Sequence, residues 1–381
     1  MKLKAAALSL LLVVSLVGMA AAPAASQSAE GEAYSGANVQ FETTGNAVTN
    51  YTVGGDVLVD NVTVQSSSEA ESGLGADAGL EAMTGFSAAG LELTSTTRAS
   101  ATINVESGAE MESHDNEKGV LQIHANGDDQ MVHANLSSDA EAHSESDKRV
   151  VVEKDDGTQG AFIVVGDGEV VVNDEGNVTA EVEGEGELVY RQYESDRSDD
   201  DEDRERMIEE GTATAEVFVQ ENQEDGEETA ADAVEYGQDT SVEVVAESQN
   251  TVEMNVERAE SDGKVVLMSV SEAAFENADD LEVFVDGEAA AQADSYSEVE
   301  QSAMDGDEPR FHVVQSSSAE ATTDVAVGID HFSERNMEMT TDGNGDTDDG
   351  ADDTDADGTG FGVLAALVAL GAALIAVRHR A

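Results

Sequence analysis

An all-β fold is what this sequence predicts: two sandwich-like ectodomain modules, with a signal peptide before them and a C-terminal transmembrane helix after them. Three observations carry the prediction. Between residues 34 and 339, short runs rich in Val, Ile, Thr, Phe and Tyr recur, separated by Gly, Asn and Asp. A block of charge at 191–211 interrupts these runs and divides them in two. Apolar segments stand at both ends of the chain.

Residues 1–25 begin with Lys2 and Lys4, continue in an apolar run from Ala5 to about Val17, and close on the small residues around Ala20–Ala25. A basic start, a short apolar core and a small-residue tract make a secretory signal, with cleavage expected near Ala22–Ala25. The run is short for a ~30 Å hydrocarbon core, which distinguishes it from an anchor helix.

Residues 26–190 form the expected first module, with strands such as NVQFETT, DVLVDNVTVQ, AFIVV and ELVYRQY. Residues 69–90, rich in Ala and Gly, depart from the pattern and read as a short helix or a loop. A β-helix is the alternative architecture for this module, because the segment is long and its strands are many and short. Residues 191–211, RQYESDRSDDDEDRERMIEEG, read as a solvated charged linker or an exposed helical insertion. Residues 212–339 form the second module, with TATAEVFVQ, KVVLMSV and TDVAVGIDHF as strands. EETAADAVEYG and SEVEQSAMDG are its helical candidates, amphipathic and Ala-bearing. Residues 340–358 hold eight Asp and no apolar periodicity, and read as a self-repelling stalk. Asp353, Asp355, Asp357 and Gly358 match the first half of a calcium loop, but its twelfth position is Leu364, where the motif needs Glu.

Residues 359–381 are the expected membrane anchor. The 20 residues from Gly358 to Val377 carry no charge. At ~1.5 Å per residue, a helix of that length spans a bilayer. Arg378 and Arg380 then stay cytoplasmic, and the acidic bulk of the chain lies outside. The tail is similar to the PGF-type C-terminal sorting signal of haloarchaeal secreted surface glycoproteins, which joins a Thr/Asp-rich stretch, a Pro-Gly-Phe motif, an apolar helix and a basic end. The motif positions here are Thr359, Gly360 and Phe361, with Thr where the family has Pro. The resemblance covers about residues 340–381. It implies processing by an archaeosortase-like enzyme and a lipid anchor in place of the helix.

Charge narrows the functional classes. All 83 acids lie in residues 26–358, with only 13 of the 17 bases, a formal charge of −70 for that segment. Such a chain repels itself where the Debye length is ~8 Å and far less at molar salt, where it is ~3 Å. The composition resembles that of proteins from extreme halophiles. Nucleic acid is excluded as a partner for want of a basic patch, while divalent cations are natural counter-ions. With no cysteine, disulfides and thiolate chemistry are excluded.

Four N-x-[ST] sequons, at Asn50, Asn61, Asn135 and Asn177, follow the signal peptide and are candidate glycosylation sites. His114, His124, His133 and His143 recur at intervals of 9 or 10 residues. In a meander of short strands that spacing gathers imidazoles on one face, as a zinc or copper site would require. Gly85-Phe86-Ser87-Ala88-Ala89 lacks the second Gly of a nucleophile elbow, and no H-E-x-x-H or phosphate loop is present. No catalytic residue or cofactor is therefore expected. The sequence reads as a membrane-anchored, glycosylated cell-surface protein of a halophilic archaeon, with a structural or interaction role in the envelope and the S-layer among its expected partners. The alternative is a secreted hydrolase or metal-binding surface protein.

Overall fold

Alternation with a period of two decides which face of each strand is buried. The computed structural model describes residues 31–74, 79–193, 196–221, 229–248, 250–271, 275, 281–306, 308–315 and 322–341, and these are predominantly β. The segments read as signal peptide, sorting motif and membrane anchor, and the stalk beyond residue 341, lie outside the described residues. Among the described residues, no helix is long and apolar enough to cross a membrane.

The strands build four sheets. In spatial order, the first sheet holds Ala33–Ser35, Val39–Thr44, Ala47–Val53, Asp56–Ser66, Gln130–Leu136, Val178–Val182 and Gly168–Val172. The second holds Ala140–Ser146, Arg149–Lys154, Gln159–Val165, Glu187–Tyr193, Leu121–His124, Glu110–His114, Ser100–Val105 and Leu91–Thr96. All these pairings are antiparallel, unlike the parallel coils of a β-helix, so the alternative architecture does not hold. The third sheet holds Thr229–Glu235, Ala213–Glu221, Asp262–Ser271, Thr322–His331, Arg310–Gln315 and Ala291–Gln292. The fourth holds Thr240–Ser248, Thr251–Arg258, Glu334–Thr340, Glu282–Val285 and Glu288–Ala289.

Three apolar layers result. Val62, Ala134 and Val178 of the first sheet pack with Val150, Phe162 and Tyr190 of the second. Val217, Val266 and Val327 of the third sheet pack with Met254, Val283 and Met337 of the fourth. A middle layer joins the second sheet to the third: Ala161, Ile163 and Val189 meet Phe218, Leu267 and Ala326. Central strands are thus buried on both faces. Phe162 and Val164 point one way from their strand, Ala161 and Ile163 the other. This is why AFIVV and KVVLMSV read as unbroken apolar runs.

Among the described residues, three α-helices complete the fold: α1 (Ser67–Leu74), α2 (Asp199–Glu209) and α3 (Tyr296–Asp305). The last matches the helical candidate SEVEQSAMDG. The other candidate, EETAADAVEYG, is instead the strand Thr229–Glu235, paired with Ala213–Glu221. Its Ala231 and Ala233 face one core while Val234 and Tyr236 face another, so a two-residue period suits it better than its alanines suggest.

Residues 191–211, expected as a solvated charged linker or an exposed helical insertion, do hold a helix, but one whose inner face is buried. Arg191–Tyr193 finish a strand, and α2 buries Arg204, Glu205, Met207 and Ile208. Ser198 starts α2 with a reciprocal capping box. Its Oγ accepts from the Asp201 N–H at 3.1 Å, and its own N–H donates to Asp201 Oδ2 at 3.0 Å. The acids Asp199–Glu202 lie in the first turn, where the helix dipole favours them. The run that reads as charge is therefore a helix N-terminus followed by a buried face, and the residues up to 341 belong to one compact unit.

Candidate functional site

The middle layer is not wholly apolar. On alternate positions, the strands that face it also carry Arg191, Glu216, Ser269 and Asp324, and α2 adds Arg204. Arg191 and Glu216 are 0% exposed and Arg204 1%. Arg191 donates to both Glu216 oxygens, at 3.0 and 3.3 Å. Arg204 donates to Glu216 Oε1 at 2.5 Å and Ser269 Oγ at 3.0 Å, and lies 2.6 Å from Asp324. The Tyr236 hydroxyl donates to Glu216 Oε2 at 2.7 Å. One carboxylate from the third sheet thus binds a guanidinium from the second and another from α2.

Burial opposes ionisation of Glu216, but Arg191, Arg204 and the bond from Tyr236 outweigh it and hold the carboxyl down to about 2. Glu117, close by, lacks a comparable partner. Burial pushes its carboxyl up to about 6, against the lowering effect of Lys118. A second centre adjoins the first, where Glu205 accepts from the Tyr193 hydroxyl at 2.7 Å and sits 3.2 Å from Arg197. There burial prevails over the arginines and raises the Glu205 carboxyl.

A further polar chain ties the second sheet to the edge strand Thr229–Glu235. His114 Nδ1 lies 3.1 Å from Asp232 Oδ1, and His114 Nε2 lies 2.9 Å from Gln122 Oε1. Gln122 Nε2 donates to Glu187 at 3.3 Å and to the Glu235 carbonyl at 2.7 Å. His124 meets Glu187 at 3.0 Å. Both His114 nitrogens face acceptors, which suits the imidazolium. Burial lowers its basicity, yet Asp232 and then Glu112 more than compensate, and the net shift is upward. His124 behaves alike: burial lowers, Glu187 raises, and the net shift is upward.

The four recurrent histidines are not brought together. The chain leaves the second sheet after His124, enters the first sheet with His133, and returns with His143 on an edge strand. The interval of 9 or 10 residues therefore spans two sheets instead of one meander. His133 pairs with Thr179 at 3.2 Å and with Asn135 at 3.0 Å. Among the described residues, no group of three or more His, Asp or Glu converges as a metal site.

Beside the junction lies a cleft of about 730 Å³, lined in part by Tyr34, Arg98, Asp115, Phe218, Gln220 and Asp232. Its two carboxylates already serve the fold. Asp115 accepts backbone N–H groups of Ala37, Asn38 and Val39 at 2.6–2.8 Å, and Asp232 holds His114 and Asn116. Asn61, Asn135 and Asn177 are half-buried on or beside first-sheet strands, and Asn50 is exposed. Thr359, Gly360 and Phe361 lie outside the described residues.

Sequence reasoning missed Arg191, Arg204 and Glu216. One signal was present: in a chain this poor in bases, an Arg within a strand or on an apolar helix face has a specific task. No family model matches the sequence, and no curated protein is significantly similar to it.

Proposed function

We propose that this chain is a membrane-anchored, glycosylated cell-surface protein of a halophilic archaeon, whose ectodomain has a structural or interaction role in the cell envelope. In this reading the signal peptide exports the chain, and residues 26–190 and 212–339 form two sandwich-like modules packed together. The Asp-rich stalk then joins them to a C-terminal segment that an archaeosortase-like enzyme processes or that spans the membrane intact.

The observation that carries the reading is where the scarce bases go. Arg191, Arg197, Arg204 and Arg258 have side chains 3% exposed or less, each paired with carboxylates. Their burial leaves a surface on which acids far outnumber bases, as a protein exposed to concentrated salt requires. Arg191, Arg204 and Glu216 are almost fully buried, as groups that hold the fold together are.

Cell fractionation followed by intact mass and C-terminal sequencing of the native protein tests this. The expected outcome is an envelope-bound protein whose N-terminus begins near residue 25 and whose C-terminus is trimmed and lipidated, or intact and membrane-embedded. A cytoplasmic protein retaining Met1 would overturn it.

A further inference from the structure

The four sequons, scattered along the chain, gather on neighbouring strands of the first sheet. Asp56–Ser66, which carries Asn61, lies between Ala47–Val53, which carries Asn50, and Gln130–Leu136, which carries Asn135. Val178–Val182 follows directly, with Asn177 immediately before it. Asn61 is the register partner of Asn135. Val178 is the partner of Ala134, and one further step of that register sets Asn177 beside Asn135. Val62, Ala134 and Val178 point into the core, so the three asparagines stand in a row on the opposite face.

This row is a bonded ladder. Asn135 Nδ2 donates to Asn61 Oδ1 at 2.9 Å, and Asn135 Oδ1 lies 3.0 Å from His133 Nε2. Asn177 Oδ1 accepts the Leu136 N–H at 3.0 Å. Thr63, His133 and Thr179 make the next rung. Thr179, the hydroxyl residue of the Asn177 sequon, is 0% exposed and donates to the Met83 carbonyl at 2.9 Å. Phe86 packs edge-on against His133, with ring centroids 6.3 Å apart, which closes that side. Neighbouring strands are ~4.8 Å apart, less than a hexose ring with its hydroxyls occupies.

Asn50 stands differently. Between the pairs Gln40–Thr52 and Glu42–Thr49, its strand carries one residue more than its partner, a bulge. Asn50 has φ 54° there, a left-handed conformation that Asn tolerates, and its side chain is exposed. The Thr52 hydroxyl donates to the Asn50 carbonyl at 3.0 Å, which keeps the second reading group of the sequon beside the first.

We propose that Asn50 is the glycan acceptor of the folded chain and that Asn135, bonded to Asn61 and standing between it and Asn177, is closed to modification. The inference rests on the surface-protein reading and adds site selection to it. In the transfer, Asn50 Nδ2 bonds to the anomeric carbon of a glycosyl phosphate donor. The sugar–phosphate C–O bond breaks, the phosphate leaves with the electron pair, and one amide proton passes to a base of the transferase.

Peptide mapping and intact-mass analysis of the native full-length protein, with Asn50→Gln and Asn135→Gln variants expressed in the same host, test it. The expected result is a glycan on Asn50 and none on Asn135. Asn50→Gln loses one glycan mass, whereas Asn135→Gln keeps the wild-type glycan mass and melts lower. A glycan on Asn135 overturns the site selection while leaving the surface reading intact. A cell-surface protein without glycan at Asn50 also overturns it, and a cytoplasmic protein defeats both.

Discussion

Glu216 shows what one side chain does when its partners come from different parts of the chain. Truncating one member of a buried, hydrogen-bonded ion cluster strands the others, at a cost of about 3–5 kcal/mol. Glu216→Ala, which leaves Arg191 and Arg204 facing each other, should lower the melting temperature sharply in thermal denaturation at neutral pH. The pH dependence has a definite sign. The folded carboxyl sits at about 2, below its usual 4.5, so its stabilisation is complete above 4.5 and fades as pH falls through 2. Glu117 has the opposite sign. Raised to about 6, it favours the folded state when protonated and opposes it once ionised. Glu117→Gln should therefore stabilise the protein at pH 7 and change little at pH 4, and a loss of stability at pH 7 would refute the assignment.

At the scale of elements, α3 and the edge strand Thr229–Glu235 bear the closest constraints. The helix lies so near the third sheet that a Cβ on Gly263 would fall inside the Ala303 carbonyl oxygen, and one on Gly328 inside that of Val299. A backbone carbonyl cannot swing aside as a side chain can. Gly263→Ala should cost about 3 kcal/mol, the upper end of ordinary overpacking, read as a lowered denaturant midpoint. The edge strand is held through His114 and Asp232, with Asn116, Gln122, Glu187 and Glu235 around them. The raised basicity of His114 and His124 places their contribution fully below about pH 6.5, and it is lost as pH rises through their folded values. Amide exchange in Thr229–Glu235 should quicken between pH 6 and pH 9 beyond the intrinsic rate, and His114→Gln should flatten that slope. Equal slopes in the two proteins would count against the latch.

Over the whole molecule, the excess of acid sets the conditions for folding. Surface carboxylates repel over ~8 Å at physiological ionic strength and over ~3 Å at 1 M, while the buried pairs are screened far less. Melting temperature should rise steeply with KCl towards molar concentrations, and more slowly once repulsion is screened. A flat or falling curve would show that the surface charge is not what limits stability. Arginines at the junction help explain how two pairs of sheets act as one unit. In a chain with so few bases, the side chains able to neutralise carboxylates between the halves are spent there.

Much of this was legible locally. The strands are written in β-branched runs between turn residues, the double burial of central strands in unbroken apolar runs, and α3 in its amphipathic pattern. The sequons are equally plain, because they are contiguous triplets. What could not be read from the chain is which residues meet. Thr229–Glu235 looks helical until Ala213–Glu221 supplies its hydrogen bonds. The four histidines look periodic until the chain is seen to change sheets between them. Segment 191–211 looks like solvated charge until α2 turns Arg204 towards Glu216. Propensity and periodicity act over a few residues, whereas register, sheet order and ion pairing depend on contacts between residues far apart in sequence. Those contacts make three separate sequons one ladder and a charged block the tie between the halves.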